Sequence, residues 1–146
     1  MNLRFAFLAN GAEVGRDGRF FVLGGGIDGL LVQSVPTIFP AIAVMARIHF
    51  SAEECENEYE IKLSLTSPDE SDLGITPTIR SRPKISTREF AELGSNVDAS
   101  FSLFGIPFTQ VGIYRFHILV NDIEIGDYPF LVRTSSEAER REERHG

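Results

Sequence analysis

The chain has 146 residues, 42% of them hydrophobic, with 12 Phe, no Trp and a single cysteine, and it carries a formal net charge of −7. At this length one domain is the default, and the folded chain can bury roughly 68–70% of its unfolded surface without disulfide staples. The negative charge argues against nucleic acid and anionic membrane surfaces as partners, since phosphate binding needs a basic face. Cys55, having no second cysteine to join, favours a reducing compartment.

The N-terminal residues alternate: Leu3, Phe5 and Phe7 are separated by Arg4 and Ala6, as on a strand whose side chains take opposite faces in turn. Their apolar run is shorter than the ~7–15 residues of a signal-peptide core, and no segment approaches the ~18–20 apolar residues of a membrane span. A cytoplasmic location is expected. Asn10-Gly11 and Gly15 to Gly18 read as turns, Arg19 to Leu23 as a second strand, and Ile27 to Val35 as a further one. Pro36 to Pro40 is predicted to be a loop. In Ala41 to Phe50, Val44, Ala46, Ile48 and Phe50 share one face, and Met45, Arg47 and His49 the other. Ser51 to Glu54 has the form of a capping box, which allows one helical turn.

Glu58 to Thr66 alternates cleanly, with Tyr59, Ile61, Leu63 and Leu65 on one face. Ser67 to Asp72 is an acidic turn, and Leu73 to Arg82 is weakly strand-like, interrupted by Pro77. Ser86 to Glu89 is a second capping box, and Gly94 stands where the cap of a short helix over Thr87 to Leu93 would fall. Val97 to Phe104 reads as a strand with Phe101 and Leu103 inward, followed by a loop at Ile106 to Phe108. Gly112 to Val132 is the strongest signal. Tyr114, Phe116, Ile118 and Val120 share a face, Asn121-Asp122 suits a tight turn, and the chain returns through Ile123 to Val132. Gly126-Asp127 is expected to mark a bulge. Pro129 cannot donate a ladder hydrogen bond, which predicts an edge or a bulge there.

About eight short strands with one or two short helical turns predict an all-β domain: an antiparallel two-sheet β-sandwich, immunoglobulin-like or related, over residues 1–133. Residues 134–146 are nearly all charged towards the end and are expected to form a disordered tail. Four stretches carry a resemblance: Leu3 to Leu8, Phe21 to Gly24, Phe50 to Cys55 and Gly112 to Asn121. They resemble a family of small bacterial proteins described only as a domain of unknown function, whose members are single β-sandwich domains of similar length. The similarity covers most of residues 1–133, with Gly25-Gly26 departing from the bulkier residue expected after Val22-Leu23-Gly24. The resemblance implies a fold; it brings no activity and no catalytic residues.

Several stretches match the letter of known motifs and fail their structural context. Gly24 to Gly29 spells G-x-G-x-x-G, but Gly29, Pro36 and Pro40 spoil the helix that a dinucleotide site needs. Ser81-Arg82-Pro83-Lys84 spells S-x-x-K without its companion motifs and with a proline against helix. Asp69, Glu70 and Asp72 offer oxygen ligands for calcium but read more simply as a solvated turn. Cys55 lies among Glu53, Glu54 and Glu56, which discourage a reactive thiolate. His49, His117 and His145 form no spaced metal motif. No cofactor, metal or catalytic set is therefore expected.

Two readings of function remain, with a third behind them. The first is a non-catalytic module that binds a protein partner in the bacterial cytoplasm through exposed loops, with Phe39 and Phe108 as the contact residues. Packing beneath the loops is the plainer role for both rings. The second is a small-molecule or anion binder, or an enzyme, built on Arg47, His49, Arg115 and His117. If their two strands share a sheet, these side chains make a cationic patch, where arginine suits bidentate anion recognition. An ordinary solvated sheet face is the plainer reading. The third is a structural homo-oligomer formed through an edge strand.

Overall fold

A computed structural model describes residues 1–85, 88–136 and 142–144. Ten strands run through the described residues: β1 (Asn2–Ala9), β2 (Gly11–Val14), β3 (Phe20–Leu23), β4 (Gly29–Val32), β5 (Thr37–Phe50), β6 (Tyr59–Thr66), β7 (Thr78–Ser81), β8 (Ser95–Phe108), β9 (Gly112–Val120) and β10 (Ile123–Thr134). Two 3-10 turns, Ala52–Glu54 and Arg88–Leu93, interrupt them. The chain is all-β. Its strands form three sheets rather than two: a three-stranded sheet in the order β1-β5-β8, a five-stranded sheet in the order β4-β10-β9-β6-β7, and the separate hairpin β2-β3.

The alternating strands bury the faces their periodicity marks. Tyr59, Ile61, Leu63 and Leu65 of β6 and Tyr114, Phe116, Ile118 and Val120 of β9 are all buried. They join Ile42, Val44, Ile48 and Phe50 of β5 and Phe101, Leu103, Ile106 and Phe108 of β8 in one cluster drawn from both larger sheets. The rings of Phe108, Tyr114, Phe116 and Phe130 form its aromatic centre, with centroids 4.9–6.2 Å apart. Offset and edge-on ring pairs of this kind add about 0.5–1.5 kcal/mol beyond their burial. The Tyr114 hydroxyl donates to the Gln110 carbonyl at 2.8 Å, so the one polar atom of that ring is satisfied.

The turn between β9 and β10 places both Asn121 and Asp122 at positive φ (49° and 65°), the conformation those residue types tolerate. The register of β10 shifts between Glu124 and Gly126, where the bulge is expected. At Pro129 only β9 is paired, because parallel pairing with β4 begins at Leu131; the proline sits on a local edge.

Two predicted loops are strand instead. Pro36 to Pro40 runs largely into β5, and Ile106 to Phe108 ends β8; Thr37 pairs with Phe108 and Phe39 with Ile106. Pro40 is tolerated because β1 stops opposite Ala43, leaving one side of β5 open there. Gly105 adopts φ +64°, a conformation open to glycine. The burial of β8 changes phase across it, from Phe101 and Leu103 to Ile106 and Phe108. The strand thus continues past the point where simple alternation ends. The short β2 has no counterpart among the predicted elements. The predicted capping box at Ser51 exists in part: the Glu54 carboxylate accepts from the Ser51 backbone N–H at 2.9 Å. Of the expected helix over Thr87 to Leu93, the described part is the 3-10 turn. Ser86 and Thr87 lie outside the described residues, as does His145 and most of the charged tail, in which residues 135–136 and 142–144 are helical.

Candidate functional site: the groove beside the β2-β3 hairpin

The hairpin begins where β1 ends. The Asn10 backbone N–H donates to the Leu23 carbonyl (3.0 Å), and Gly26 and Ile27 both donate to the Leu8 carbonyl (2.9 and 3.0 Å). Its tip closes through Gly15 donating to the Arg19 carbonyl (2.7 Å), with the Asp17 carboxylate accepting from the Arg19 backbone and guanidinium. Those two Arg19 contacts hold the Asp17 carboxyl below its ordinary range. A two-stranded hairpin is marginal alone, so what it packs against decides whether it holds.

Phe20 supplies the anchor. Its ring lies 5.9 Å from the ring of Phe5 on β1, and the Arg47 guanidinium sits 5.3 Å from the Phe5 centroid and 5.4 Å from that of Phe20. Arg47 is fixed in turn by two hydrogen bonds to Asp98 on β8, at 2.7 and 3.0 Å, which raise its affinity for its proton further. Two rings and a carboxylate thus hold one guanidinium, the planar recognition to which arginine is suited. Ala43 and Met45, on the same face of β5 as Arg47, are buried. This accounts for a strand that is apolar on both faces.

The rest of the hairpin is left open. Phe21 is 63% exposed and Leu23 73%. Together with Gly11, Ala12, Glu13, Val22 and Ser102 of β8 they line a groove of about 410 Å³. Phe104, two residues beyond Ser102 on β8, is 77% exposed, and Ile38, paired with Pro107 at the strand ends, is 69% exposed. Such a concentration of bare apolar side chains is what marks contact surfaces on folded proteins. Sequence reasoning assigned Phe21 and Leu23 to a strand and passed over them. Their signal was two large apolar residues in a four-residue strand between glycine-rich turns, with no second strand face to cover them.

The four residues proposed for a cationic patch do not meet in one sheet. Arg47 and His49 belong to β5 in the three-stranded sheet, Arg115 and His117 to β9 in the five-stranded sheet. Each also has its own cross-strand partner. Arg47 holds Asp98; His49 Nδ1 is 3.0 Å from Asn96 Oδ1; Arg115 donates to Asp127 at 2.5 Å. His117 bonds the Glu124 carboxylate through Nδ1 and lies 3.0 Å from the Thr66 hydroxyl through Nε2. Parallel sequence placed these pairs on equivalent faces, but the strands lie in separate sheets.

Phe39 and Phe108 are corrected in the same way. Neither stands on a loop. Phe108 is fully buried, and Phe39 packs on it with ring centroids 5.9 Å apart.

The motif-like stretches find structural roles. Gly24 to Gly29 crosses from the hairpin to β4, and Ser81 closes β7. The Asp69 carboxylate accepts from the Ser67 hydroxyl and from the Ser71 backbone N–H at 3.1 Å, which holds its pKa down at about 2. Burial, followed by the charges of Glu56 and Glu54, pushes the Cys55 thiol up. Among the described residues no group of three His, Cys, Asp or Glu is placed to hold a metal, and no helix is long and apolar enough to cross a membrane.

Among solved structures, 73% of this chain matches 28% of the Pseudomonas fluorescens alkylpurine DNA glycosylase AlkC bound to DNA containing an abasic site analog, at 12% identity and a TM-score of 0.45. The chain therefore spans under a third of that protein's length. No curated protein matches it. A family model does match, over residues 4–133, and the chain belongs to that family, a family of unknown function (DUF6941).

Proposed function

We propose that this chain is a non-catalytic protein-interaction module of the bacterial cytoplasm, built as an immunoglobulin-like two-sheet sandwich with an added hairpin. The strand orders support the architecture. Taken in sequence, β1, β5 and β8 correspond to strands A, B and E of that fold, and β10, β9, β6 and β7 to G, F, C and C′. Tyr114 supports it as well: it lies near the start of the strand equivalent to F, and its hydroxyl reaches back four residues to a backbone carbonyl, the form of a tyrosine corner.

The single observation carrying the function is the apolar groove whose wall is Phe21 and Leu23, with Phe104 standing beside it. Its lining offers shape and apolar surface, with Glu13 the one ionisable side chain. That inventory suits a protein surface better than a reacting small molecule. The buried, unpaired Cys55 fits a reducing compartment.

The test is affinity purification of the tagged chain from its native host, with the Phe21→Lys/Leu23→Glu double variant alongside. Both positions are exposed, so the variant should keep the wild-type circular dichroism spectrum. The reading expects a protein that accompanies the wild type and is lost with the variant. Equal recovery with both forms would reject the groove as the contact surface.

A further inference from the structure

We infer that the occupant of this groove is a second copy of the chain, bound by antiparallel pairing of the two β8 strands about a two-fold axis. The inference rests on the interaction-module reading and names its partner.

The first observation is the state of the sheet edges. A long unpaired strand is a template for another chain, and proteins blunt such edges with short strands, bulges, prolines and charged side chains. Here β4 and β7 are four residues each. β1 has a register shift between Leu3 and Phe5 with Arg4 inside it, and Leu8 is bridged to Ile27 on its far side. β8 is treated differently. It has 14 residues, is hydrogen-bonded to β5 on one side, and has no hydrogen-bonded strand on the other among the described residues. It contains no Lys or Arg, and its two interruptions, Gly105 at φ +64° and Pro107, fall in its last four residues. Its one charge, Asp98, is already bound by Arg47. On a chain of net charge −7 with 24% charged residues, this edge lets two copies approach without like charges facing each other.

The second observation is that the outer face of β8 carries both a projection and a hollow. Phe104 stands out into solvent, and Ser102, two residues away on the same face, lines the groove under Phe21 and Leu23. An isologous pairing that sets Phe104 opposite Ser102 necessarily sets Ser102 opposite Phe104. Each ring then enters the other copy's groove, and Leu103 lies on the axis. The backbone groups on the open side of β8 exchange water for a ladder, and directly opposed side chains interact across it.

Sedimentation equilibrium over a wide concentration range tests this, using wild type, Phe104→Lys and Ser102→Lys. Both positions are exposed, and circular dichroism checks that the fold is kept. A wild-type dimer whose dissociation constant rises at least tenfold in each variant is expected. Oxidation of a mixture of Ser102→Cys and Phe104→Cys chains should give a cross-linked heterodimer in greater yield than either alone, with Cys55 buried and inert. A wild type that stays monomeric, a dimer indifferent to both lysines, or a mixture that cross-links no better than its components would overturn the inference. A monomer that still captures another protein through Phe21 and Leu23 rejects the second copy and keeps the module reading. A monomer whose captured proteins ignore those two residues rejects both.

Discussion

Tyr114 joins the packing of the core to the closing of a turn. Its ring stacks with Phe130 and meets Phe108 edge-on, while its hydroxyl ties down the carbonyl of Gln110. Tyr114→Phe keeps the ring and removes the bond. It should lower unfolding free energy by about 1 kcal/mol, read as a lower urea midpoint at unchanged m. The inward position of this residue is legible from the alternation of its neighbours, but its hydroxyl partner is not, because a turn carbonyl carries no sequence signature. Asp69 is a residue-scale case that pH reports. Its folded pKa, about 2, lies below the roughly 3.9 of an unfolded aspartate. A depressed carboxyl contributes its stability in full above the unfolded value and loses it as pH falls through the folded one. The stability gap between wild type and Asp69→Asn should therefore be constant above about pH 4–5 and shrink steadily towards pH 2. A gap that widens on acidification would contradict the assignment.

At the scale of the element, the Arg47 side chain joins the β2-β3 hairpin to the sheet beneath it, beside the Phe5–Phe20 ring contact. Arg47→Ala removes the guanidinium from between Phe5 and Phe20 and leaves the Asp98 carboxylate, only 8% exposed, without its partner. Breaking this part-buried pair from one side should cost about 1–3 kcal/mol, short of the loss at a fully buried pair. The backbone amides of Gly11 to Leu23 should show the largest gain in hydrogen exchange. Arg115→Ala makes the contrast: both Arg115 and Asp127 are substantially exposed, and that change should stay within about 1 kcal/mol. Uniform exchange throughout the Arg47 variant would show that the guanidinium does not hold the hairpin. Strands buried on one face, such as β6 and β9, were legible because period-two alternation records burial directly. β5 was legible as a strand over Ala41 to Phe50, but what lies on its second face was not, since the hairpin that meets Arg47 there ends at Leu23, 20 residues before Ala43. The end of β8 was misread because Gly105 reverses the phase of burial, sending Ile106 and Phe108 into the core. The groove depends on where the hairpin comes to lie against β8, a long-range arrangement, which is why its residues escaped a reading made strand by strand.

For the whole molecule, the question is whether the two larger sheets stand or fall together. The hydrophobic cluster takes Val44 and Phe101 from one and Leu63 and Phe116 from the other, all of them buried. If those side chains form one packed interior, loss of any should be felt by both sheets, since small domains with one core unfold as a unit. Leu63→Ala in β6 should cost about 2–5 kcal/mol, the range for a fully buried leucine whose site only partly collapses. Native-state hydrogen exchange reads where that cost falls. The slowest amides of β5, in the sheet Leu63 does not belong to, should lose as much protection as those of β9 beside it. The hairpin's amides should change less, because a two-stranded unit with no residue in the cluster can open locally without disturbing it. If β5 kept its protection while β9 lost it, the two sheets would be separate cooperative units and the sandwich reading would fail. Equal loss in both would also explain how the chain tolerates a bare hairpin face. A shared core would carry the stability, with Phe21 and Leu23 left exposed outside it.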